Sequence, residues 1–151
     1  MLAVASSLAA AAPAVGPEPS CQPSETPSAQ LVAAGNGTIT LQGKVVVFGV
    51  IRSGRGVLNV SDSAGDAVVT VKGERQAVPA GGQLRVHPRH SRFYVVGTCL
   101  SIRIRGQQMV IAAGVSGQAA VRGVGAYTVN AGPGRRWSRS TSAVRLVAPA
   151  A

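Results

Sequence analysis

Residues 99–105, CLSIRIR, constrain the chain most. Leu100, Ile102 and Ile104 alternate with Ser101, Arg103 and Arg105. Side chains on a β-strand point to opposite faces with a period of two, so one face of this stretch is aliphatic and the other polar. The rhythm recurs along the chain. Ile39 and Leu41 share a face at 38–42, Leu58 and Val60 at 57–61, and Ala67, Val69 and Val71 at 67–72. Residues 44–51, KVVVFGVI, are almost continuously apolar, which predicts a strand covered on both faces. Further strands are predicted at 83–87, 92–96, 108–113, 119–122 and 126–129, with a last one at 143–147. Between residues 35 and 132 no segment keeps the 3.6-residue apolar spacing of a helix.

Composition agrees with this pattern. The sequence has 19 Gly and 9 Pro, and aromatics make up only 3%, so its core must be built from Val, Ile, Leu and Ala. Glycine-rich stretches at 53–56 (SGRG), 61–65 (SDSAG) and 79–82 (PAGG) read as turns, as do Gly54-x-Gly56 and Gly123-x-Gly125. Short strands at this spacing predict an all-β fold, a compact antiparallel β-sandwich or barrel. A short β-solenoid is the alternative, because VTVKG (69–73), IRIRG (102–106) and AVRG (120–123) echo one another. The echoes are unevenly spaced, which ranks the solenoid second.

The domain organisation expected is a signal-peptide-like segment at 1–14, a Pro/Ser-rich linker at 15–35, a β-domain at 36–131 and a basic C-terminal tail at 132–151. The first segment, MLAVASSLAAAAPA, is too short to span a bilayer as a helix and resembles the apolar core and cleavage zone of a secretory signal. It lacks the usual leading cation, the first being Lys44. The linker is too polar to offset its chain entropy by burial. Cys21 and Cys99 form a candidate disulfide, with Cys99 as a small core residue the competing reading. These features predict a secreted or cell-envelope location.

The runs GKVVVFGVIRSGRG (43–56), SDSAGDAVVTVKG (61–73), SRFYVVGTCLSIRIRG (91–106) and VGAYTVNAGP (124–133) resemble small exported β-domain proteins of high-GC Gram-positive bacteria. The resemblance covers residues 43–133. It implies export and an all-β fold, and it carries over no catalytic residues.

Charge narrows the function classes. The net charge is +10, and all five acids precede residue 75. Such a surface attracts polyanions. Arg103, Arg105, Arg122, Arg135, Arg136, Trp137 and Arg139 are the candidate polyanion-binding residues, with the Trp137 ring as a stacking platform among cations. The plain alternative is a basic face that keeps the domain soluble. His87 and His90 flank Pro88 with no acid or cysteine nearby in sequence, so no metal site is expected. Asp62 and Asp66 bracket a turn, where carboxylates accept backbone N–H bonds. Ser116 lacks the context of a nucleophile elbow, and no phosphate-binding loop is present.

The leading expectation is therefore an exported, non-catalytic module with no cofactor, acting through its surface on a protein partner or at the cell envelope. A module that binds a polyanion, whether a wall polymer, nucleic acid or anionic lipid, through its Arg-rich surface is the alternative. A small hydrolase pairing His87 or His90 with Asp62 or Asp66 is a distant third. A sheet edge offers a route to homo-oligomers.

Overall fold

Alternation becomes strand over most of residues 28–146, the part of the chain described by the computed structural model. The elements are β1 (Ala29–Ile51), β2 (Gly56–Asp62), β3 (Val68–Val71), β4 (Glu74–Ala77), β5 (Gly82–Val86), β6 (Ser91–Val129), β7 (Arg135–Arg136) and β8 (Ser142–Val144). The all-β class is as expected. The strands are not uniformly short, however: β1 runs for 23 residues and β6 for 39.

β1 is antiparallel to β6 along both of its edges. Residues 29–51 pair with 91–115 on one side, and 31–51 pair with 109–129 on the other. Residues 109–115 therefore pair with 29–35 and also with 45–51. The two strands are rolled up on themselves as one curled antiparallel sheet.

Two ladders result. The first runs through 125–129, 29–35, 109–115, 45–51, 91–97, β3 and β4. The second runs through 117–123, 37–43, 100–106, β2 and β5. β7 joins the first ladder beside 126–127, and β8 joins the second beside 119–121. β1 and β6 cross between ladders at corners without leaving the strand conformation. Inward side chains of both ladders form one core, with Leu31, Val47, Phe93 and Ile111 from the first and Leu41, Leu58, Ile102 and Ile104 from the second.

The corners are built from bulges and facing glycines. Between Gly35↔Met109 and Gly37↔Gly106, Asn36 stands opposite both Gln107 and Gln108. Between Gly43↔Leu100 and Val45↔Gly97, Lys44 stands opposite Thr98 and Cys99. The extra residue bends the strand. Gln108 and Cys99 take left-handed φ values of 54° and 56°. The bulged Gln108 N–H is not orphaned, because it donates to Asn36 Oδ1 at 2.7 Å. Across the other edge Gly43 faces Gly117 and Gly37 faces Gly123. Gly43 has φ 115°, and a Cβ there would run into the Ser116 carbonyl. Gly123-x-Gly125 is thus not a hairpin turn but a corner inside β6, facing Gly37 and Gly35.

Two boundaries differ from expectation. The linker was expected to reach residue 35, but β1 begins at Ala29, with Ala29, Leu31 and Ala33 buried. Small Ala side chains weaken the alternation there without removing it. The tail does contain a last strand, β8, shorter than 143–147. Residues 1–14 and most of the linker lie outside the described residues. β4 was not foreseen. It follows a two-residue turn at Lys72-Gly73, both with positive φ (54° and 84°), the arrangement that suits a tight hairpin.

Cys99 is disulfide-bonded. The sequence holds one other cysteine, Cys21, outside the described residues.

Candidate functional site

The alternation that buries Ile102 and Ile104 points Arg103 and Arg105 outward, and the register sets their neighbours. Arg103 faces Thr40 on one side and Asn59 on the other, and Asn59 faces Arg85. Arg105 faces Thr38, which faces Arg122. All four arginines are exposed. Adjacent strands lie about 4.8 Å apart, so Arg103 and Arg85, like Arg105 and Arg122, have backbones about 10 Å apart, while Arg103 and Arg105 are about 7 Å apart along one strand.

Thr38, Thr40, Gln42, Asn59, Ser61, Gln83, Ser101 and Gln118 share this outer face of the second ladder with Val57 and Ala120. Cationic, hydroxyl and amide donors thus share one surface. The described residues hold three acids, and none stands on it. Asp62 is buried, Asp66 bonds Thr98 at a corner, and Glu74 lies in β4 on the first ladder. Arg55 and Arg105 flank a shallow depression with Asn36, Val57 and Gln107.

The tail residues divide. Arg122 Nε donates to the Arg139 carbonyl at 3.3 Å, which brings Arg139 to the end of the face. Arg135 and Arg136 are exposed, but they pair with Tyr127 and Ala126 beyond the corner, on the first ladder. Trp137 is 7% exposed, and its indole Nε1–H donates to the Ala126 carbonyl at 3.1 Å. Its ring is a wall of the core, so the expected stacking platform is not there.

The remaining candidates have structural partners. Asp62 accepts N–H bonds from Ala64 at 2.9 Å and Ala67 at 2.6 Å. Asp66 accepts from Thr98 N–H at 3.0 Å and Thr98 Oγ1 at 2.6 Å. His87 Nδ1 lies 3.2 Å from the Gly56 carbonyl, at the start of β2, whereas Asp62 ends that strand. A strand of this length separates them by about 20 Å, so no His87–Asp62 dyad forms. Ser116 is buried at the corner opposite Lys44. Among the described residues no three His, Cys, Asp or Glu side chains cluster as metal ligands.

The outer face of the first ladder was misread in the sequence. Residues 44–51 are not covered on both sides, since Val46 and Phe48 are 39% and 47% exposed. Val32, Tyr94 and Val110 are exposed on the same face. No helix among the described residues is long and apolar enough to cross a membrane.

The chain matches no protein-family model and no curated protein.

Proposed function

We propose that this protein is an exported, non-catalytic binding module that holds an anionic polymer against the outer face of its second ladder, at the cell surface or in its envelope. The observation that carries the reading is the unbroken register of Arg85, Arg103, Arg105 and Arg122 on a face without acids. A rigid sheet presents these guanidinium groups at fixed spacing, so a polymer with regularly repeated phosphate, sulfate or carboxylate groups meets several at once. Guanidinium binds such groups with two parallel N–H bonds, and the threonine and amide neighbours supply further donors.

The two ladders are read as the sheets of a β-sandwich wound in the jelly-roll manner, a rolled antiparallel hairpin. Export is supported by the bonded Cys99, since disulfides persist in oxidising compartments, and by the signal-like first segment.

The test is salt-dependent binding to heparin and to long-chain polyphosphate. Log affinity should fall linearly with log salt, and the triple variant R103Q/R105Q/R122Q should flatten the slope by about 2 to 3. R135Q/R136Q, which changes the net charge almost as much off the face, should flatten it less. Equal slopes for the two variants, or binding unchanged by either, would reject the assignment.

A further inference from the structure

The opposite face has a chemistry that polymer binding does not use. Five of the six exposed large hydrophobic residues among those described, Val32, Val46, Phe48, Tyr94 and Val110, stand on the outer face of the first ladder. They are contiguous. One row runs Val32, Ala112, Phe48, Tyr94, Thr70, and the next runs Ala34, Val110, Val50, Arg92. The apolar part of the first row, Val32 to Tyr94, crosses three strand spacings, about 14 Å. A contiguous exposed apolar patch rimmed by polar residues is the kind of surface that marks interaction sites.

Cations border the patch at one end. Arg92 closes the second row, and Thr70 of the first row faces Arg75 on β4. Lys72, at the tip of the β3–β4 turn, donates its N–H to the Arg92 carbonyl at 3.3 Å. Lys72 and Arg92 line a shallow cleft together with Phe48, Thr70 and Tyr94. Glu74 pairs with Val71, whose side chain packs toward the core, so the one nearby acid points away from this face.

We propose that this face docks on an anionic lipid bilayer, with the Val/Phe surface entering the headgroup–acyl boundary and Lys72, Arg75 and Arg92 meeting lipid phosphates. Aromatic side chains beside cations are what such an interface favours. Charge decides against a second copy of the chain as the occupant. Residues 28–146 hold 15 cations and 3 acids, a net of +12, so two copies packed face to face repel, whereas a negative surface attracts each of them.

The experiment is co-sedimentation with phosphatidylglycerol/phosphatidylcholine vesicles and with pure phosphatidylcholine vesicles, alongside sedimentation equilibrium of the protein alone. Wild type should partition onto the anionic vesicles. F48T/V110T keeps β-compatible residues on an exposed face, and it should lower that partition about tenfold or more. K72Q/R75Q/R92Q touches no core residue and should lower it about a hundredfold, each cation contributing roughly fivefold. R103Q/R105Q/R122Q, which tests the polymer face instead, should stay within about threefold of wild type, at most the effect of one cation. Partition lost only in that last variant, or wild-type partition by F48T/V110T, would overturn the proposal. So would a wild-type dimer that F48T/V110T dissociates, which would mean that a second copy covers the face.

Discussion

Asp66 is exposed, yet both its carboxylate oxygens are engaged by Thr98, one by the backbone N–H and one by the hydroxyl. Partial burial works to raise its pKa, but the Thr98 hydroxyl and N–H bonds and its own N–H outweigh that and hold it below the ordinary 3.8. A carboxyl whose folded pKa lies below its unfolded one adds stability above the unfolded value, and loses it as pH falls through the folded one. Thr98→Val removes the hydroxyl bond and should cost about 1 kcal/mol at neutral pH. The cost should fade in acid, once the pH has fallen through the lowered folded pKa and the carboxyl is protonated. Urea titrations of both proteins at neutral and acid pH measure this, and an equal cost at both would refute it. At this scale the turn role of Asp62 was legible, because a short carboxylate beside glycine favours local backbone bonds, whereas the partner of Asp66, Thr98, stands 32 residues away. Trp137 was misjudged for an equally local reason. Its flanking arginines are visible in sequence, but the Ala126 carbonyl that receives its N–H is eleven residues away and meets it only through the pairing of 126–127 with β7.

At the scale of elements, glycine carries the architecture. Gly43 combines φ 115° with a carbonyl where a Cβ would go, while Gly73 has φ 84° and open space around it. Gly73→Ala should therefore cost only the left-handed penalty, about 1–2 kcal/mol. Gly43→Ala adds a backbone clash that a neighbouring strand must move to relieve, and should cost about 3 kcal/mol or more. Chemical denaturation of the two variants gives the order, and equal costs would mean that the corner yields freely. The strand stretches were legible, but their continuity was not. In β6 the buried positions are odd at 93 and 95, even at 100, 102 and 104, and odd again from 109. Each switch is a bulge, and in sequence a bulge looks like the end of a strand. β1 held the clue to continuity, since its buried large side chains from Leu31 to Ile51 all sit at odd positions.

At the scale of the whole molecule, a slower rhythm overlies the alternation. The outward residues of β1 read Val32 and Ala34, then Thr38, Thr40 and Gln42, then Val46, Phe48 and Val50. Those of β6 change with the same step, from Tyr94 and Val96 to Ser101, Arg103 and Arg105, then to Val110 and Ala112, then to Gln118 and Arg122. Each corner carries the strand to the other ladder, so a switch in outward chemistry about every eight residues gives one apolar face and one cationic face. The pattern is written in the sequence, but it has meaning only once the corners are known. One covalent cross-link is made at Cys99, which sits in the bulge between 91–97 and 100–106. A cross-link of this kind restricts the unfolded chain more than the folded one, and its removal from a small domain typically costs about 2–4 kcal/mol. Cys99→Ser should therefore lower the unfolding free energy measured by chemical denaturation by that amount, since serine keeps the size of the side chain and its left-handed backbone strain is unchanged. Dithiothreitol should shift wild type equally and leave Cys99→Ser where it is. If the reductant moved both proteins alike, the stabilisation would not come from this bond, and the argument for an oxidising compartment would lose its support.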